Sequence, residues 1–539
     1  MSILSKGCLL FNTIKYLKPS QVVNQVIVRL RRVEQFQKYY SSSINYKEFN
    51  LWIDKLDNNP IVLERFLPEQ LLNNKITLLN ETRVFDKWDY EDASHLWNYN
   101  LHYLEYLVPL FSLWKSTNDE KYKEKINIIF NDWYENGSMK ADSNQSYTIS
   151  LRIVNMLIIS EAIENEQKLY DSIYAQYRYL LKHQEKHLLG NHYLENLKAI
   201  VICSVVFGEE DIYNAYIGKL LNELDEEITD DGLHFELSLM YHKIVLEDII
   251  RVALVLKEAK KPDYQKILDY IKKMATALYS LEHGIDRTLL FNDAGDNIAK
   301  PTSSLLKICK QLGVEPENKD CIAGYYKLYD GKTMIIIDCG ELSPAYMPGH
   351  AHCDCLSFEL FYDGKPIFVN SGTYQYQGDK RAYFRSTRAH NTVMINGHEQ
   401  SQCWGEHRVA KRVYNVKGHV ESNCFKGECV SYVGEKHERE IELKEDGIIV
   451  YDYIIDGNKA ESYLHISSEY ALTDKLDIID SNNTIIGTVS GINCKAEIVR
   501  EGELAWQSTE FGKIRNGVCI RFIYETDIDE KRGYKLSFT

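Results

Sequence analysis

Residues 348–376 read PGHAHCDCLSFELFYDGKPIFVNSGTYQY, and residues 383–397 follow as YFRSTRAHNTVMING. Two β-branched and aromatic bursts separated by Asp363-Gly364-Lys365 predict an antiparallel hairpin. The stretch sets His350 and His352 one residue apart on an expected strand edge and returns His390 from a basic, aromatic loop. Imidazoles at i and i+2 on a strand point the same way, so they can share a substrate or a metal with the third histidine. Cys353 and Cys355, alternating with Asp354, are expected as strand packing.

Outward from this stretch the apolar period divides the chain. From Tyr325 onward it alternates or runs in short bursts such as KTMIIIDCG, REIELKEDGIIVYDYIIDG and VCIRFIYET, with turns at EDG, IDG and SNN, and predicts an antiparallel sandwich. From about residue 95 to 285, segments such as LHYLEYLVPLFSLW, ISLRIVNMLIISEAI, YLENLKAIVICSVVFG and MYHKIVLEDIIRVALVLKEA repeat at three and four, which predicts amphipathic helices in hairpins arranged as an arc or toroid. FNDAGDN, holding Asp293 and Asp296, lacks the ligand spacing of a calcium loop and is expected as a structural turn. The expected organisation is therefore α+β: an N-terminal segment over 1–90, an incomplete (α/α) toroid over 91–322 and an antiparallel β-sandwich over 323–539, with the boundary near 318–326.

A chain of 539 residues is too long for a single core. Its 38 tyrosines suit a sugar cleft, because a phenol ring stacks on a pyranose face while its hydroxyl bonds the rim. The net charge of -15 excludes nucleic acid as the expected partner and leaves room for an anionic sugar in a locally basic cleft. No run reaches the roughly 18 apolar residues of a membrane span. The N-terminus has no small-residue cleavage site behind its apolar run, so a cytoplasmic protein is expected. Twelve cysteines without framework spacing fit a reducing compartment. Residues 13–32, TIKYLKPSQVVNQVIVRLRR, alternate basic and apolar positions: a helix covering the toroid is the simpler expectation, a membrane-peripheral contact the other.

GHAHCD, VNSGTYQY and RSTRAHNTV, preceded by WNYNLHYLEYL, SYTISLRIVN, GNHYLENLKA and GLHFELSLMYH, give the chain a pattern that resembles the heparinase II/III family of polysaccharide lyases, which includes related alginate lyases. The resemblance implies a toroid packed on antiparallel sheets with the active site between them. It implies catalytic roles for Asn191, His192, Tyr241 and His350, and a functional role for Glu195. It also implies a zinc site at His352 and His390, but the aspartate position holds Asn370, whose neutral amide is a poor ligand. The alternative is a hydrogen-bonded network of these three, and no cofactor is expected to be required.

The implied chemistry is β-elimination at a uronate. The proton beside the carboxylate is weakly acidic, so donors must neutralise the carboxylate while a base takes the proton and an acid reaches the leaving oxygen. Asn191 and His350 are the expected neutralising pair. Tyr241 serves as base or acid, with its pKa expected to be lowered by nearby cations, and His192 is its partner. Arg152, Arg385 and Arg388 could grip carboxylates bidentately, Tyr376 could be a second catalytic phenol, and Trp97, Asn98 and Tyr99 could line the sugar cleft. The expected partner is an anionic polysaccharide or oligosaccharide, with a link to capsule or surface-glycan metabolism; the oligomeric state stays open. Two other classes compete: a glycoside hydrolase using Glu236 and Asp293, and a non-catalytic glycan-binding or scaffold protein, for which Asn370 speaks.

Overall fold

The computed structural model describes residues 3–31, 34–41, 44–57, 66–285, 287–525 and 531–539. From His95 to Gln311 the described chain is helical. Gly190–Val206 is almost wholly buried, including the polar Asn191, Glu195, Asn196 and Lys198 of its first half, so it must lie inside a double layer, whereas the following Glu210–Glu227 buries only one stripe. Ser146–Ile158, Gly190–Val206 and Leu239–Glu258 pack side by side as that inner layer, with Glu166–Leu180, Glu210–Glu227 and Tyr264–Glu282 behind them. The single helix expected over residues 101–114 is two, His95–Tyr103 and Leu107–Thr117. Leu104 takes a left-handed conformation at the break, and Pro109 falls in the first turn of the second helix, where its missing N–H costs nothing.

The C-terminal half is built on two large antiparallel sheets, one of nine strands and one of eight, with two small two-stranded sheets beside them. In the nine-stranded sheet Asp363 and Gly364, both with positive φ, close the hairpin between Phe358–Tyr362 and Lys365–Phe368. Its strand Thr333–Asp338 is buried on both faces: Ile335 and Ile337 enter the core between the sheets, while Ile336 joins the core of the helical half. Strands of the other sheet, such as Lys436–Lys444, alternate buried and part-exposed positions, as a one-sided sheet requires.

One turn locks the two halves together. In FNDAGDN, Asn292 N–H donates to Asp354, Asn292 Oδ1 accepts from His352 N–H, and Asp293 N–H donates to the His350 carbonyl. These bonds take residues 349–357 away from any ladder. His350, His352 and the Cys353–Cys355 segment therefore lie in a loop ahead of Phe358, where a strand edge was expected. All twelve cysteines are free.

At the other edge of the cleft, the helices Ile3–Ile14 and Pro19–Leu30 form a strap between the halves. Lys18 pairs with Glu226 and lies over the Tyr346 ring; Thr13 accepts from the Trp404 indole. Among the described residues no helix is long and apolar enough to cross a membrane.

Candidate active site between the helices and the sheets

Asp293 is the hub. It is fully buried, and Arg381 clamps it through both terminal nitrogens, NH2 standing 2.7 Å from Oδ2. His350 Nδ1 lies 2.9 Å from Oδ2 and His352 Nε2 2.9 Å from Oδ1. Burial alone would raise the pKa of this carboxyl, but the Arg381 charge and the two imidazoles hold it well below the ordinary carboxylate range. A permanent carboxylate makes each facing ring nitrogen a donor. The two histidines thus share an anion inside the protein, and only His350, with 22% of its side chain exposed, reaches the cleft.

The cleft is a cavity of 1790 Å³ lined by both halves, larger than the roughly 300–1,000 Å³ of a small-molecule site. Tyr241 sits in the first turn of Leu239–Glu258 behind the N-cap Ser238, whose hydroxyl in turn donates to the Asp293 carbonyl at 2.7 Å. Its ring packs on His350 with centroids 4.3 Å apart, and its hydroxyl is 2.7 Å from that of Tyr376. Burial first, then Tyr376 and Glu236, push the Tyr241 phenol well above its ordinary pKa. The expected lowering by cations does not occur, because Arg381, the cation that lies over the Tyr376 ring, is spent on Asp293.

Asn191 and His192 open the inner helix Gly190–Val206. Gly190 has φ +55°, and a Cβ there would come within 2.2 Å of Met347 Cε from the sheet half. The glycine is therefore required by conformation, whereas the contact falls on the movable end of Met347. Asn191 Nδ2 donates to Tyr147 Oη at 3.3 Å while its Oδ1 has no partner. The Tyr147 hydroxyl can serve either half of that amide, so the other half is available to a ligand. His192 packs against Tyr147 with the rings tilted by 41° and faces Glu185 Oε1 at 3.4 Å through Nδ1. Desolvation would lower its pKa, but Glu185 and Glu236 together raise it.

Behind His350 lies a second cluster. His352 Nε2–H is committed to Asp293, and His390 Nδ1–H to the Ser386 carbonyl at 2.8 Å. The two remaining nitrogens, both bare, face each other at 3.1 Å. Burial lowers the pKa of His352 to about 4 and that of His390 to about 3, so neither is a cation at neutral pH. Two lone pairs of neutral rings repel at this distance, and a metal ion between them would relieve that repulsion. The carboxylate within reach of both is Asp354, its ligand atom and theirs lying within 4.8 Å of one another. The expected third residue, Asn370, spends its amide oxygen on Asn391 N–H and its own N–H on Glu359.

Several expected binding residues are structural. Arg152 is wholly buried, its guanidinium spent on Gln176, the His102 carbonyl and the Ser143 carbonyl over the Trp133 ring. Arg385 holds the Ala351 and Glu406 carbonyls, and Arg388 pairs with Glu503 on the surface. Asn98 closes on the Tyr90 backbone, and Trp97 is 1% exposed, packed in the helical core at the cavity wall. Tyr99 lines the cavity. Glu195 lies behind that surface, paired with Lys198, which also holds Asp248 at 2.5 Å. Arg381, Glu185 and His407 also belong to this cluster or its cavity and carry no motif in the sequence, whereas Tyr147 lies within SYTISLRIVN.

The cleft is not basic. Arg31, Lys198, Arg251, Lys300, Arg408 and Arg412 line it, and acidic residues, among them Glu185, Glu236 and Glu247, outnumber them.

A helical double layer clasps two antiparallel sheets, and an Asn-His pair and a tyrosine on helix starts face a loop histidine across one cavity. The Heparinase II/III N-terminus profile matches residues 30–319 and the Heparinase II/III-like, C-terminal profile residues 322–524: the chain belongs to the heparinase II/III family. Its relatives include a heparin-sulfate lyase of Bacteroides thetaiotaomicron, 24% identical over 66% of this chain and 58% of that protein. Another, from Bacteroides stercoris, is 21% identical over 83% of this chain and 75% of the relative. The chain thus spans less than two thirds of the first relative's length. Among solved structures, a Heparinase III matches with a TM-score of 0.68 at 18% identity, covering 93% of this chain and 88% of that one. A heparan sulfate lyase mutant from Pedobacter heparinus matches with a TM-score of 0.59 at 17% identity, covering 91% and 86%.

Proposed function

We propose that the protein is a polysaccharide lyase that cleaves a uronate-containing glycan by β-elimination. The observation that carries this reading is the convergence of Asn191, His192, Tyr241 and His350 on one cavity large enough for several sugar rings. Asn191 and His350 meet the uronate carboxylate as charge moves onto it. His192 Nε2, with Glu185 behind Nδ1, takes the proton on the carbon beside the carboxylate. That carbon's electron pair forms the double bond to the next carbon, the bond to the glycosidic oxygen breaks, and Tyr241 donates its proton to that oxygen. Burial keeps the Tyr241 phenol protonated, so it enters the step with a proton to give, and the carboxylates of Glu185 and Glu236 strengthen His192 as a proton acceptor. The cycle closes when His192 gives the abstracted proton to solvent and a solvent proton returns to Tyr241 through the hydroxyl of Tyr376 hydrogen-bonded to it. The acidic balance of the cleft favours a polymer whose charge comes from spaced uronates over a densely sulfated one.

The hydrolase reading loses its second acid, because Asp293 is locked as a carboxylate beneath Arg381 and two imidazoles and can neither donate a proton nor attack a sugar. A divalent cation such as zinc fits His352 Nδ1, His390 Nε2 and Asp354; bound there it would fix the loop that carries His350, and no step passes through it. Metal analysis of the purified protein tests that fit, and a metal content unchanged in Asp354→Ala would reject this ligand set. The lyase reading is tested by the masses of fragments released from uronate polymers. Elimination leaves each new non-reducing end one water lighter than hydrolysis does, and fragments of hydrolytic mass would contradict it.

A further inference from the structure

The second strap helix is built inside out, and the first adds an exposed aromatic to it. On the first, Leu10, Phe11 and Ile14 are exposed, Phe11 to 71%. On the second, Val22, Val23, Val26, Ile27 and Leu30 are exposed, Leu30 to 80%. Positions i, i+1 and i+4 fall on one face of a helix, so the second helix presents a continuous apolar stripe away from the cavity, and Phe11 extends it from the first, whose Leu10 and Ile14 turn toward the cavity mouth. The inward face is mixed: Thr13, Gln21 and Gln25 line the cavity beside Leu10, Ile14, Leu17 and Val28, and Gln21 donates to the Leu188 carbonyl. A helix that merely covered the toroid would be oriented the other way round, with its apolar stripe buried.

Charge selects the occupant. Residues 1–32 carry Lys6, Lys15, Lys18, Arg29, Arg31 and Arg32 and no acidic residue, in a chain whose net charge is -15. A second copy docked by two-fold symmetry would set this basic segment against itself. An anionic lipid surface satisfies both features, taking the apolar stripe into its interfacial layer and the lysines and arginines against its headgroups. We propose that these two helices dock the protein on an anionic membrane surface, which lays the rim of the cavity against the headgroups. The proposal does not depend on the lyase reading, since it concerns the outer face of the strap alone.

The test is flotation of the full chain with vesicles of phosphatidylcholine containing about a third phosphatidylglycerol, beside vesicles of phosphatidylcholine alone. The wild type is expected to float with the anionic vesicles at least tenfold more than with the neutral ones. Phe11→Ser/Val23→Ser/Leu30→Ser is expected to abolish flotation with no fall in melting temperature, because these side chains are already in water. Lys6→Glu/Lys15→Glu/Arg29→Glu keeps the apolar stripe and is expected to weaken binding about a hundredfold or more, each basic residue near such a surface being worth roughly fivefold. No flotation, equal flotation with both vesicles, or a solution dimer that the apolar triple substitution dissociates would each overturn the proposal.

Discussion

Tyr241 enters the proposed reaction as a neutral donor, and the reason lies in Asp293. The one cation over the phenol pair is neutralised by that carboxylate, so nothing offsets the burial that keeps the hydroxyl protonated. Asp293→Asn should therefore act on both stability and rate. Arg381 would be left buried without its partner, a loss of about 3–5 kcal/mol in denaturant unfolding. His350 would lose the anchor at Nδ1, and kcat should fall about a hundredfold, as expected for a reacting group displaced by an ångström. Unchanged stability would show that Arg381 finds another partner and that the hub is not one. None of this was legible in FNDAGDN, which reads as a turn and is a turn. Its meaning comes from Arg381, His350 and His352, each more than fifty positions away. Arg385 stood out in FRSTRAH while Arg381 did not, yet they lie one helical turn apart; Arg381 reaches the carboxylate and Arg385 only backbone carbonyls.

At the scale of elements, the site is assembled from helix starts, and their placement depends on local conformations that do not tolerate change. Gly190→Ala puts a side chain at φ +55° and against Met347 Cε. The contact falls on the end of a flexible side chain and can be relieved, whereas the backbone strain cannot. The expected loss is about 1–3 kcal/mol in thermal unfolding, with Met347→Ala recovering the steric part only. Full recovery would mean that the positive φ carries no cost. Periodicity made the long helices and the hairpins legible because their partners lie within one window of sequence. It misplaced His350 and His352, since a loop held by bonds to Asn292 and Asp293 has the same composition as a strand edge. It also merged the two helices around Leu104, where the break lies in a left-handed residue that the apolar repeat runs through.

At the scale of the whole molecule, buried titratable groups set a pH window for stability. Burial lowers His102 and His242 to about 3, so as pH falls below 6.5 the unfolded chain binds protons that the folded chain refuses. Burial, with Glu227 beside the first, raises Glu223 to about 8, and burial raises Glu359 to about 7. Their stabilisation is fully present below the unfolded carboxylate value of 4.5 and is lost as pH rises through the folded values. These two pairs oppose each other between pH 4.5 and 6.5 and act alone outside it. Melting temperature should thus be nearly flat across that interval and fall on both sides, toward pH 8 and toward pH 4; a steady rise from pH 5 to 8 would contradict the assignment. The charge balance of the cleft bears on substrate in the same way, through the sum of many side chains that no single motif announces. The most direct measurement on the central claim is the ultraviolet absorbance of unsaturated uronate during incubation with unsulfated and sulfated uronate polymers, for the wild type and Tyr241→Phe. A rise on an unsulfated polymer, reduced about 10²–10⁴-fold in Tyr241→Phe, is the predicted result. Reducing ends released without absorbance, or a rise that Tyr241→Phe leaves intact, would contradict it.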